Sequence, residues 1–235
     1  MTSPLLRPDE WLKMQPADFR ERLATIGTRR VLPARTFLYR VEDWGGIYGV
    51  VSGCLEVIVE LNSGQRALNF AYPGYFIGNR PIKLDLPYAV SVAARLDSKV
   101  TSIPFSAMTR MVEEKPEWWK GFATLTDYWF DVAICGWTDL MLRNSEARCM
   151  AVLLRLGGYR PFTELDDGQR LIPVTQQELG ENTNLSRSRV SEILAELEKA
   201  ELIARSYGGI RICEPAKMQK RLDVLTAEAE KRGGI

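Results

Sequence analysis

The chain has 235 residues, 46% of them hydrophobic and 26% charged, with a formal net charge of +1. That balance belongs to a globular protein long enough for one large core or two smaller ones. It supplies no global basic field, so any nucleic-acid or membrane site must be a local patch. The absence of histidine excludes His-dependent triads, His-ligated zinc and proximal-His haem. The four cysteines (Cys54, Cys135, Cys149 and Cys213) are far apart and form no CxxC pair. Scattered cysteines read as small buried hydrophobes rather than as a zinc or iron–sulfur ligand set. We therefore expect no metal, no cofactor and no enzyme. No run of about 18 apolar residues occurs, and "MTSPLLRPDEW" lacks a signal-peptide pattern. A cytoplasmic protein with no membrane partner is the simplest expectation.

Residues 9–26 predict two short helices, "DEWLKM" and "PADFRERLATI", with Pro16 at a helix start. From about residue 30 to 104 the chain changes to short Val-, Ile-, Leu- and Tyr-rich runs: "TFLYRV", "IYGVVSG", "CLEVIVEL", "QRALNFAY" and "YAVSVAA". Turn residues separate them, and "SG" and "NSG" stand where tight hairpins are expected. Such spacing predicts a small antiparallel barrel or sandwich. Within it, "PGYFIGNRPIKLDLPYAVSVA" (73–93) combines a Pro-Gly turn, a second glycine and two cations before an alternating strand. Glycines of this kind let backbone N–H groups approach an anion closely.

From Pro116 to about Arg143 the pattern is helical and strongly apolar. Trp118, Phe122, Leu125, Trp129 and Val132 step by four and three, as a coiled-coil seam does, while Trp119, Ala123, Phe130, Ile134, Trp137 and Met141 mark a second face. A helix apolar on two sides must be covered on both. We assign the first seam, with Gly136, to a dimer interface.

A helix at "EARCMAVLLRLGGY" and a polar loop at "TELDDGQRL" follow. Thr175 and Glu178 then form a capping box, so a helix begins at about Gln176 and runs to about Asn182. Asn184 suits the left-handed conformation of a tight corner, and Ser186 caps a second helix over about 186–200. Val190, Ile193, Leu194 and Leu197 fall on its inner face. Arg187, Ser188, Ser191 and Glu192 are left facing out. Two short helices, a corner and polar first turns predict a DNA-reading helix-turn-helix. Strand, Gly-Gly turn and strand in "LIARSYGGIRI" predict a wing at Ser206, Tyr207, Gly208 and Gly209.

At this point the chain resembles the Crp/Fnr transcription regulators, through "VTQQELGENTNLSRSRVSEILAELEKAELI" with "GGIRI", and through "LYRVEDWGGIYGVVSGCLEVIVE" with "PGYFIG". The resemblance implies an α+β fold with an N-terminal antiparallel β-barrel of cyclic-nucleotide-binding type (1–115). It further implies a dimerisation helix and hinge (116–145) and a winged helix-turn-helix (146–235). It places Arg187, Ser188, Ser191 and Glu192 at base-reading positions, and Arg189 at a phosphate contact. Thr175, Gln176 and Gln177 resemble backbone-positioning contacts. Double-stranded DNA, a second copy of the chain and RNA polymerase are the implied partners. The family commonly carries Glu where Ser188 stands and Arg where Glu192 stands. A carboxylate accepts from cytosine N4 whereas Arg donates to guanine, so the bases read are expected to differ.

In cyclic-nucleotide-binding members a Gly-Glu pair holds the ribose and an Arg holds the phosphate. Here the corresponding positions are Gly78-Asn79 and Tyr88, with Arg80 and Lys83 several residues away. The effector pocket (Gly78, Asn79, Arg80, Tyr88) is thus expected not to bind cAMP. An unidentified small molecule, a redox-sensitive lone cysteine and no effector remain open. A second functional class is also open: a sensor or protein-interaction module whose winged helix serves assembly.

Overall fold

The computed structural model describes residues 10–62, 64–78, 86–160 and 169–232. By internal contacts the chain divides into two compact units, Leu5–Phe130 and Asp131–Ile235.

In the first unit, α1 (Trp11–Met14) and α2 (Ala17–Ile26) precede strands β1 (Thr28–Leu32), β2 (Phe37–Tyr39), β3 (Gly46–Ser52), β4 (Leu55–Leu61), β5 (Gly64–Ala71), β6 (Phe76–Ile77), β7 (Ser91–Ala94) and β8 (Ser98–Pro104). They pair antiparallel in two four-stranded sheets, ordered β1-β8-β3-β6 and β2-β7-β4-β5. This is a double-sheet antiparallel β architecture. Its core collects aliphatic and aromatic residues, among them Ile47, Leu55, Phe70, Val92, Val100 and Ile103, all buried. The two expected hairpins differ in outcome. "NSG" joins β4 to β5 in the same sheet, with Leu61 opposite Gly64. "SG" does not make a hairpin, because β3 and β4 lie in different sheets and the chain crosses between them there. Gly53 takes φ +88° at the crossing, where a Cβ would lie 2.3 Å from Ser98 Oγ.

Helix α3 (Phe105–Glu114) and a 3-10 turn (Pro116–Trp118) lead into α4 (Trp119–Met141), whose end lies in the second unit. The expected hinge region therefore divides between the units rather than standing apart. No helix among the described residues is long and apolar enough to cross a membrane.

The α4 seam requires a correction. Trp118, Phe122, Leu125 and Val132, assigned above to a dimer interface, are buried within the single chain, and Trp129 is half-buried. Phe19 packs edge-on to Trp118 and against Phe122, at 5.9 and 5.2 Å between ring centroids. Trp11 Nε1 donates to the Gly121 carbonyl at 2.7 Å, and Trp129 Nε1 to the Phe76 carbonyl at 2.8 Å. Gly136 is also buried, with the Arg155 guanidinium 3.5 Å from where its Cβ would stand. For Trp118, Phe122 and Trp129 the physical reason is that the N-terminal helices and the sheets offer an apolar surface inside the protomer. The face left open is the other one: Phe130 and Trp137 are 63% and 65% exposed, and Ile134, Leu140 and Met141 are exposed as well.

The second unit comprises α5 (Ser145–Leu156), β9 (Leu171–Ile172), α6 (Gln176–Thr183), α7 (Arg187–Lys199), β10 (Ile203–Ser206), β11 (Gly209–Ile212) and α8 (Pro215–Arg232). Asn144 caps α5, its side chain accepting from the backbone N–H groups of Glu146 and Ala147. From Cys149 to Gly157 every residue of this segment is buried, which makes α5 the central rod of the unit. Near its end Arg155 Nε lies 2.8 Å from Asp139, and Arg160 Nη2 lies 3.2 Å from the same carboxylate.

Candidate nucleic-acid interface

The capping box is formed in full. Thr175 Oγ1 accepts from the Glu178 N–H at 3.1 Å, and Glu178 Oε2 accepts from the Thr175 N–H at 2.8 Å. Helix α6 closes on Asn184, which takes φ +53° and ψ +42°. The next residue returns a hydrogen bond, Leu185 N–H to the Gly180 carbonyl at 3.0 Å. A Cβ on Gly180 would stand 2.9 Å from the Leu185 carbonyl oxygen, so the corner requires glycine there. The sequence reading did not single out Gly180, because its requirement comes from a close approach and not from its own dihedrals.

Ser186 begins α7, its Oγ accepting from the Arg189 N–H at 3.2 Å. Val190, Ile193, Leu194 and Leu197 are buried as expected from their 3.6-residue spacing. Arg187, Ser188 and Glu192 are exposed and Ser191 is half-exposed, all on the first two turns. The guanidinium of Arg187 has no ion-pair or hydrogen-bond partner among the described residues. Arg189 differs: its Nε donates to Ser145 Oγ at 3.1 Å and its Nη1 to Glu192 Oε2 at 3.0 Å. Ser188 is also engaged, its hydroxyl 3.0 Å from that of Ser186. Thr175 and Gln177 are exposed and Gln176 half-exposed at the N-terminus of α6. Gln177 donates to Glu181 Oε1 at 3.3 Å.

The wing is a two-residue hairpin in which Ser206 pairs with Gly209 across Tyr207 and Gly208. Tyr207 is fully exposed at its tip. Gly209 takes φ +145°, and a Cβ would come 2.0 Å from the Ile172 carbonyl, so glycine here lets β11 pair with β9. At the wing's base, Arg205 donates through Nε and Nη2 to Oε2 of Glu198 on α7, whose Oε1 accepts from the Arg205 backbone N–H. That pairing holds the Glu198 carboxyl below its usual range, first through the side-chain hydrogen bond to Arg205.

The expected effector pocket is partly visible. Asn79 and Arg80 lie outside the described residues. Gly78 takes φ +86°, and a Cβ there would stand 2.6 Å from the Gly46 carbonyl. Tyr88, expected in that pocket, is buried and packs internally. Its ring stacks on Tyr39 at 3.8 Å, and Tyr39 stacks on Tyr48 at 5.6 Å. The Tyr88 hydroxyl accepts from the Gly46 N–H at 2.6 Å and donates to the Gly46 carbonyl at 2.7 Å. Gly45 admits this arrangement, since a Cβ would meet the Tyr88 and Tyr48 hydroxyls at 2.5 and 2.8 Å. Burial, followed by the neighbouring Tyr48, pushes the Tyr88 phenol well above its ordinary value.

A cyclic nucleotide-binding domain model matches residues 29–115, and a Crp-like helix-turn-helix domain model matches residues 147–221. Together they span more than half of the chain, in the order and on the elements just described. The chain belongs to the Crp/Fnr family. This Crp/Fnr regulator is 25% identical to the nitrogen fixation regulation protein FixK of Bradyrhizobium diazoefficiens over 175 residues, 73% of this chain and 72% of FixK. The solved structure of FixK2 from Bradyrhizobium japonicum superposes with a TM-score of 0.70 at 17% identity, covering 85% of this chain and 97% of that one. The c-di-GMP-responsive global regulator CLP of Xanthomonas campestris gives 0.63 at 20% identity, covering 84% and 99%. At these identities the structural likeness shows the fold alone.

Proposed function

We propose that this Crp/Fnr member is a homodimeric transcription regulator that reads a pseudo-palindromic DNA site with α7 of each protomer, without cAMP. The observation that carries the reading is the placement of Arg187. It stands at the N-terminal end of α7 with a guanidinium unpartnered among the described residues, on a helix whose opposite face is fully buried. An α-helix fits the major groove, and Arg bridges O6 and N7 of guanine. The N-terminus of α6 and the wing tip flank it with polar groups suited to phosphate and sugar. The FixK relative supports a regulatory role of this kind.

The exposed α4 face supports the dimer. Phe130, Ile134, Trp137 and Met141 step by four, three and four, which is the spacing of a helix–helix seam, and they form an apolar patch that a partner would cover. A second copy doubles the reader and sets half-sites about one helical turn apart. Independence from cAMP is supported by Tyr88, whose hydroxyl is engaged with Gly46 where a cyclic phosphate would need a cation. Members of the family imply RNA polymerase as the downstream partner.

Unbiased selection of bound DNA by the full chain tests the function. A single enriched, pseudo-symmetric motif is expected. Arg187→Ala should lose about 1–3 kcal/mol of affinity for that motif and relax one column of it. Unchanged binding by this variant would sink the reader assignment. Calorimetry with cAMP should show no saturable heat.

A further inference from the structure

Arg189 is held from two directions by groups that are far apart in the sequence. Ser145, the first residue of α5, accepts from its Nε, and Glu192, one turn further along α7, accepts from its Nη1. We infer that Ser145 is a specificity-determining residue: through Arg189 it fixes the Glu192 carboxylate as the acceptor for a base amino group in the major groove. The inference rests on the DNA-reading role proposed for α7 and names what one of its positions reads.

The argument starts from the chemistry of an exposed glutamate. A free Glu on a reader helix samples several rotamers, and its charge is repelled by the phosphates on either side. The ion pair with Arg189 addresses both problems. It uses Oε2 alone, so Glu192 keeps Oε1 as an acceptor, and it compensates the negative charge locally. The Arg–Glu pair is itself exposed, at 43% and 62% of the side-chain surfaces, and an exposed i,i+3 pair is weakly held by itself. Ser145 supplies what such a pair lacks. Its backbone is fixed by the Asn144 cap and by the buried rod that follows, and its hydroxyl pins the Nε edge of the guanidinium. A planar fork held at Nε has its remaining N–H groups fixed in direction. The carboxylate that accepts from Nη1 is fixed with it. The recognised group is the exocyclic amine of cytosine, N4, to which a carboxylate is the matching acceptor. Ser145 is thus a positioning residue, acting on a base it does not touch.

Selection of bound DNA by the full-length wild type, Ser145→Ala, Ser145→Thr and Glu192→Gln tests this. The Ser145 hydroxyl makes no capping bond, so the alanine variant should fold. In wild type one column of the motif should favour cytosine. Ser145→Ala should weaken that preference severalfold and leave the guanine column read by Arg187 in place. Ser145→Thr, which retains the hydroxyl, should restore it. Glu192→Gln should change the same column. An Ser145→Ala motif identical to wild type overturns the inference. So does a uniform loss across all sequences with a salt slope lowered by about one, which would make Arg189 a phosphate clamp. A wild-type chain that enriches no sequence overturns the DNA-reading function itself, and this inference with it.

Discussion

The ring of Tyr88 lies on that of Tyr39, with centroids 3.8 Å apart and planes 22° from parallel, and its hydroxyl is closed onto the backbone of Gly46. Tyr88→Phe keeps the stack and removes the hydroxyl, leaving the Gly46 N–H and carbonyl without that partner. The expected cost is about 1–3 kcal/mol in urea denaturation, the penalty for an unsatisfied buried group. The same site gives a pH dependence. Burial raises the phenols of Tyr39 and Tyr88 in the folded state, so the unfolded chain releases these protons first. Their contribution is intact below the ordinary phenol value, about 10, and is lost as the pH rises beyond it. Spectrophotometric titration should therefore show two phenols ionising only as the fold is lost.

Asp139 is fully buried between two arginines, and Arg155 is almost as deeply buried. Removing one partner of a buried pair strands the other charge. Arg155→Ala should cost about 3 kcal/mol by chemical denaturation, the lower end of the usual range because Arg160 still faces the carboxylate. Replacing all three ions, as Arg155→Met and Arg160→Met with Asp139→Leu, should recover most of the loss.

Substitutions on the two faces of α4 should separate cleanly. Trp137→Asp or Phe130→Asp places a charge on the exposed face and should give folded monomers by sedimentation velocity, with weakened DNA binding. Leu125→Asp buries a charge in the protomer core and should unfold the chain instead. A folded Leu125→Asp monomer would return the dimer seam to the buried face.

The four thiols should differ in reactivity. Cys213 is half-exposed, whereas Cys54, Cys135 and Cys149 are buried. Burial pushes the Cys149 thiol up to about 12 and raises Cys135 as well, so neither offers thiolate near neutral pH. Native labelling with a thiol reagent should give one fast equivalent at Cys213, and four after denaturation. Rapid reaction at Cys135 would indicate an opening of the helix end around Asp139.

The helix-turn-helix was legible because each of its signals is local. A capping box spans four residues, a left-handed corner is signalled by Asn184, and the buried face of α7 follows from a 3.6-residue period. Where the sequence reading went astray, the missing information was a partner. "SG" and "NSG" carry the same turn chemistry, and only the sheet to which the next strand belongs makes one a hairpin and the other a crossing. Periodicity showed that α4 has two apolar faces without saying which one α2 would cover.

Local propensity and hydrophobic period thus determined the element types, their order and the helix-turn-helix. Tertiary structure decided that the Trp118 seam is core, that Tyr88 closes onto Gly46, and that Ser145 reaches Arg189. Each of these joins groups distant along the chain: Tyr88 and Gly46 are 42 positions apart, Ser145 and Arg189 44. No local pattern encodes such a pair. It exists because burial in two cores brings the elements together and then leaves each polar group only the partners within reach.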